Sequence, residues 1–395
     1  MATIWIVAAV LLGVSAACAA AAGAAGVAHG DFDARYAAAV LLRSGQAATA
    51  YSSLSNGLSA EGGLPALWMP PALLLVLPLS WLPLPVAAAI WDALQVTLLA
   101  AAAALVAFRT DLDADISFRW RAGAALLGFA GAGTLEIVAL GQWDGVPALG
   151  LALGWIALQR DRDQPAMIVV AATALAGKPH LAAGVIIWMI ARRPRTVLSF
   201  GLVAIATAVL SVALVPAPAL VDWMRNLLSP SDIAITRTGA GLPGLVTMLG
   251  GSGSVTSVLA VVTSLAALAV CALLGRRQRA APGAAVFASV LTLSLLASPH
   301  TYPYDLVLLA PGVVAMLVSR ARQPAAERSL RVTAISAWWI LLSGAAFVEV
   351  VPLGSFDPKP YLPLVLIAGA AAAGISAIRQ PARASFAARP RPTLG

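Results

Sequence analysis

The 395-residue chain is 60% apolar and only 11% charged, against roughly 45–50% and 25% in soluble globular domains. With a mean hydropathy of +0.89 it cannot be an ordinary soluble fold, because much of that apolar surface would face water, whereas a bilayer accepts it. The net charge of +8 would suggest nucleic acid in a soluble protein. In a membrane chain it records topology, since cytoplasmic loops accumulate Lys and Arg, and no nucleic-acid partner is expected.

At about 20 apolar residues per helical span, the chain has room for about a dozen spans. The first runs over about 4–28. It has the apolar character of a secretory signal, and VSAAC resembles a lipoprotein cleavage box. It lacks a basic n-region, however, and is too long for a cleaved signal, so an uncleaved span is expected. Further apolar stretches fall near 84–107, 122–140, 145–159, 166–191, 196–216, 254–274, 282–297, 306–319, 332–351 and 360–378. The stretch 166–191 is too long for one span and is interrupted by GKPH at 177–180, which predicts two short helices meeting at the break. Cys18 and Cys271 both lie in apolar runs and read as packing residues, with no CxxC pair.

The segment 66–82, LWMPPALLLVLPLSWLP, is apolar but short and proline-rich. If it crossed the bilayer, every later loop would change side and the Arg-rich loops would alternate badly. Placed as a juxtamembrane helix on the outer side, it leaves 19 of the 25 basic residues on the cytoplasmic face. Arg35, Arg43, Lys178, Arg225, Arg237 and Lys359 then remain outside. This predicts an all-α polytopic membrane protein with about 12 spans and both termini inside. Residues 1–378 form a single transmembrane domain, 29–83 is the first outer loop with interfacial helices, and 379–395 is a basic, disordered cytoplasmic tail. All three histidines and all five tyrosines fall on the outer side, which marks that side for chemistry.

The polar residues gather in four outer clusters. In the first loop, apolar residues from Phe32 to Leu42 recur at helical spacing, with Asp33, Arg35 and Arg43 interleaved, predicting an amphipathic interfacial helix. Asp31 and Asp33 stand at its mouth, where a carboxylate can cap the helix or act as a general base on an incoming hydroxyl. The others are Gly141-Gln142-Trp143-Asp144, Gly177-Lys178-Pro179-His180 and Ser298 to Asp305. Lys178 interrupts an apolar stretch at membrane depth. It can snorkel to the headgroups or serve an anionic ligand, and Pro179 frees backbone groups around it. Glu136 and Glu349 are candidate partners for Lys178 or Arg225. For Asp92, deeper in its span, a buried pair or a bond to a neighbouring helix is the plain reading.

These clusters, in this order, resemble glycosyltransferase family 87, the polyprenol-phosphate-mannose-dependent mannosyltransferases of the GT-C class. The matching residues are Asp31-Phe32 with Tyr36 and Ala38-Ala39, Gly45, Tyr51, Pro70-Pro71 followed by LPLSWLPLPVAAAIW, Gly141-Gln142, Lys178-Pro179, and Ser298-Pro299-His300 with Tyr304-Asp305-Leu306. The likeness covers about residues 5–320. It implies a GT-C-like bundle in the cytoplasmic membrane. This would transfer a sugar, mannose by family expectation, with inversion from a polyprenyl-phosphate donor to a lipid or glycan acceptor on the outer (periplasmic) face. It also implies an acidic base in the first outer loop, Asp31 with Asp33 as fallback. Lys178 would meet the charge growing on the lipid phosphate, with His180 and His300 as donors and Gln142, Tyr302, Tyr304 and Asp305 contacting sugar or phosphate. Some GT-C relatives use a divalent metal, and Asp31, Asp33 and His29 are the strongest ligand group for one, so a metal stays unassigned.

Two other classes compete with the enzyme. A secondary transporter would place substrate and ions near the midplane within internal repeats, and no repeat is detectable here. A polytopic membrane protein without catalysis would leave the Asp31 loop unexplained.

Overall fold

A computed structural model describes residues 2–24, 30–51, 68–110, 115–131, 133–227, 239–249, 254–278, 282–298, 301–350 and 361–379. Among them the chain is helical and forms no strand. In order, the helices are α1 (Ala2–Ala24), α2 (Gly30–Arg43), α3 (Leu84–Arg109), α4 (Phe118–Phe129), α5 (Thr134–Leu140), α6 (Gly145–Leu158), α7 (Asp163–Leu175) and α8 (Ala183–Arg192). There follow α9 (Thr196–Leu214), α10 (Ala217–Leu227), α11 (Leu242–Met248), α12 (Ser254–Arg277), α13 (Ala284–Ala297), α14 (Ala310–Arg320), α15 (Ala325–Val350) and α16 (Leu362–Arg379).

Four helical stretches of the described residues are long and apolar enough to cross a bilayer: Leu84–Arg109, Thr196–Leu214, Ser257–Arg277 and Pro303–Arg320. They occupy different radial positions. Pro303–Arg320 is almost wholly enclosed and packs against α3, α4, α6, α13 and α15. Thr196–Leu214 lies at the periphery and leaves Leu198, Leu202, Ile205, Val209 and Val212 exposed along its length. A contiguous apolar stripe of that length is untenable in water and ordinary in lipid. The chain is a multi-pass membrane protein.

One expected element differs in form. The single span predicted over 122–140 is divided into α4 and α5 around Gly133, whose φ of +78° lies in the left-handed region. A Cβ there would collide with the Tyr304 carbonyl, so glycine permits both the turn and the close approach of the 302–305 segment. The stretch 166–191 is broken as expected, into α7, a 3₁₀ turn over Pro179–Ala182, and α8.

Residues Pro70–Trp81 form a 3₁₀ turn, one turn of α-helix and a second 3₁₀ turn, as prolines at 70, 71 and 78 demand. This run packs against α2. The helix predicted from Phe32 to Leu42 is α2, but protein covers it on several sides. Phe32 stacks on Trp91 of α3, with ring centroids 5.5 Å apart, and packs with Ala72, Val76, Ala87 and Trp143. Ala38 meets Tyr51, Leu73, Val215 and Ala219. Two of its interleaved charges, Asp33 and Arg35, are therefore buried, while Arg43 stays exposed.

Candidate active site

The site begins with a helix end. Gly141, with φ +64°, closes α5 in the left-handed conformation, and the Gln142 amide reaches back to the Ile137 carbonyl at 2.8 Å. This is a glycine-terminated helix stop, and it turns the Gly141 carbonyl away from the helix axis. Two buried donors meet that carbonyl: Arg35 Nη1 at 2.9 Å and Trp91 Nε1 at 3.0 Å. The Arg35 guanidinium also lies 5.1 Å from the Trp68 ring centroid and 5.9 Å from that of Trp143. Helix α2 and loop 141–144 are thus fixed to one another by charge-assisted and cation–π contacts.

The same loop sets the lysine. Trp143 is buried against Gly177, where a Cβ would overlap the indole, so residue 177 has to be glycine for the chain to pass. The next residue, Lys178, donates from Nζ to Asp144 Oδ2 at 2.9 Å and to Asp305 Oδ1 at 2.6 Å. Its side chain is 13% exposed, and those of Asp144 and Asp305 are 0% and 1% exposed. The other Asp305 oxygen accepts from the Tyr302 amide at 2.8 Å and so caps the 3₁₀ turn Pro303–Leu309. Tyr302 and Tyr304 stack at 5.3 Å, and Lys178 Nζ lies 4.5 Å from the Tyr304 ring centroid.

Asp31 completes the group. It stands in the first turn of α2, four residues before Arg35 and hence on the same face. Burial pushes its carboxyl above the ordinary carboxylate range; Arg35 and then Lys178 pull it down, and Asp144 pushes it up. Asp33 is two residues further on, turned about 200° around the helix, and is buried elsewhere on α2.

Asp31, Gln142, Lys178, Tyr302, Tyr304 and Asp305 therefore sit on segments that meet at one end of the bundle. His180 follows Lys178 in the 3₁₀ turn and is half-buried. His29 and His300 lie outside the described residues, as do the side chains of Glu136 and Glu349. Among the described residues, the acids that pair with Lys178 are Asp144 and Asp305, while Arg225 pairs with Asp222 at 3.2 Å. Among the described residues, no group of three or more His, Cys, Asp or Glu side chains is placed to hold a metal.

Arg35 and Asp144 carry more of this geometry than the sequence assigned to them. Their signals were the four-residue spacing from Asp31 and the membership of Asp144 in the GQWD cluster.

A helical membrane protein with three carboxylates, two cations and a buried amide at one end of its bundle is one built around a polar ligand. The model of glycosyltransferase family 87 matches residues 67–299, more than half of the chain. The chain belongs to that family and is a membrane glycosyltransferase. The matched region contains loop 141–144 and Lys178, and it begins after Asp31 and ends before Tyr302. Neither curated proteins nor solved structures gave a match.

Proposed function

We propose that the protein transfers a sugar, mannose by family expectation, from a polyprenyl-phosphate donor to a lipid or glycan acceptor on the outer face of the cytoplasmic membrane. The observation that carries this reading is the convergence of Asp31, Arg35, Asp144, Lys178 and Asp305 beside the buried amide of Gln142. Both termini are inside in this reading, with about twelve spans over residues 1–378 and the basic tail 379–395 in the cytoplasm.

Asp31 is the general base. It removes the proton of the acceptor hydroxyl as that oxygen attacks the anomeric carbon from the face opposite the phosphate. The C–O bond to the lipid phosphate breaks, the electron pair leaves with the phosphate, and configuration inverts. Burial favours this role because it raises the proton affinity of Asp31, while Asp144 is committed to Lys178 through one oxygen. Asp33 is the fallback base.

Lys178 has used two of its three N–H bonds on carboxylates. Its third is available to a phosphate or bridging oxygen, where it stabilises charge that grows as the bond breaks. His180 and His300 are further donors, Tyr302 and Tyr304 form a stacked wall for the sugar, and Asp305 orients Lys178. The polyprenyl chain lies against the apolar helices.

The test is donor consumption. Membranes containing the protein, supplied with polyprenyl-phosphate mannose, should release polyprenyl phosphate in step with mannosylation of an acceptor. Vectorial movement of a solute without donor consumption would instead favour a transporter.

A further inference from the structure

Around loop 141–144, several buried polar atoms have no protein partner: Gln142 Nε2 and Oε1, Asp144 Oδ1, Arg35 Nε and Gln95 Nε2. Gln142 is 1% exposed and Asp144 and Gln95 are 0% exposed. Such atoms are few in folded proteins, and each costs free energy unless something bonds to it. Here they fall in one neighbourhood. Gln95 Oε1 accepts from the Gly145 amide at 3.1 Å, next to Asp144, and Arg35 holds Gly141 at the other end of the loop.

Their chemistry is mixed. Arg35 Nε, Gln142 Nε2 and Gln95 Nε2 donate, whereas Asp144 Oδ1 and Gln142 Oε1 accept. A phosphate dianion only accepts and cannot satisfy the last two, and its charge is repelled by Asp144. A polyhydroxyl ring does both, because each sugar O–H donates one bond and accepts others.

We propose that Gln142 and Asp144 form the hydroxyl-reading subsite for the transferred sugar, with Asp144 Oδ1 and Gln142 Oε1 accepting from ring hydroxyls and Gln142 Nε2 donating to a ring oxygen. Asp144 divides its two oxygens. Oδ2 holds Lys178 on the phosphate side and Oδ1 reads the sugar, so recognition of the correct sugar is joined through one carboxylate to placement of the cation. The inference rests on the donor reading above and makes these two residues specificity determinants.

The experiment uses the full-length protein in lipid nanodiscs with polyprenyl-phosphate mannose and its four monodeoxy analogues. Wild type should lose on the order of 10–100-fold in kcat/KM with at least one analogue, as for a charged hydrogen bond left unmade. Asp144→Asn and Gln142→Met should lose activity with mannose but show a native-to-deoxy ratio near one for the hydroxyl each reads. Gln142→Met carries a second readout that a structural role would not give. Replacing an unpartnered buried amide by an apolar side chain of similar size should leave the ligand-free melting temperature unchanged or raised. Turnover by wild type with discrimination ratios unchanged in both variants would overturn the subsite alone, leaving these atoms to water. Absence of any turnover with polyprenyl-phosphate sugars would remove the donor reading and the subsite together.

Discussion

Lys178 Nζ lies 2.6 Å from Asp305 Oδ1 although 127 residues separate them. Since Asp144 holds the same nitrogen at 2.9 Å, this lysine is a junction between three segments of the chain as well as a cation in the site. The two carboxyl groups around one ammonium offset its charge, so Lys178 alone does not make the pocket electropositive.

A direct consequence concerns Lys178→Met. The variant strands Asp144 and Asp305 in a buried environment, and breaking such a pair costs about 3–5 kcal/mol. We predict a markedly lower melting temperature in nanodiscs, largely restored in the triple variant Lys178→Met, Asp144→Asn, Asp305→Asn. Failure of the triple variant to recover would mean that the lysine acts through packing rather than charge.

The pH profile follows from Asp31. A base must be deprotonated to act, so activity should fall as pH drops through the Asp31 pKa, and this acid limb should lie above the ordinary carboxylate range because burial raises it. Arg35 opposes that rise. Arg35→Gln should therefore move the limb to higher pH as well as lower the maximum, measured by initial rates across pH at saturating donor. A limb that stays in place, or moves down, contradicts the assignment of Asp31.

Glycine 177 gives a steric test. Its added Cβ would occupy the space of the Trp143 indole, and overpacking of this kind costs about 1–3 kcal/mol. Gly177→Ala should lower both thermal stability and transfer rate by displacing Lys178, and Trp143→Phe should partly rescue it. No loss in the single variant would show that the Trp143–Gly177 contact does not place the lysine.

Much of this arrangement was legible in the sequence because it depends on local rules. Prolines at 70, 71 and 78 marked an irregular helix there, GKPH marked the break between α7 and α8, and apolar spacing from Phe32 to Leu42 marked α2. The division of 122–140 was not legible. Gly133 resembles any other glycine in an apolar run, and its reason is a contact with Tyr304, a residue far away in sequence. Burial of α2 was hidden for a similar cause, since Asp33, Arg35 and Arg43 read as the polar face of an interfacial helix until the residues covering the first two are known. Lys178 stood out as an ionisable group in an apolar stretch, yet its partners lie 34 and 127 residues away, and only the fold identifies them.

Removal of the acceptor proton by Asp31 is tested by comparing Asp31→Asn with Asp33→Asn. Initial rates of mannose transfer from polyprenyl-phosphate mannose should be followed at matched expression and melting temperature. Asp31→Asn should lose about 10²–10⁴-fold, with a far smaller loss for Asp33→Asn. Retained transfer by Asp31→Asn, or a reversed order of the two variants, would contradict that role.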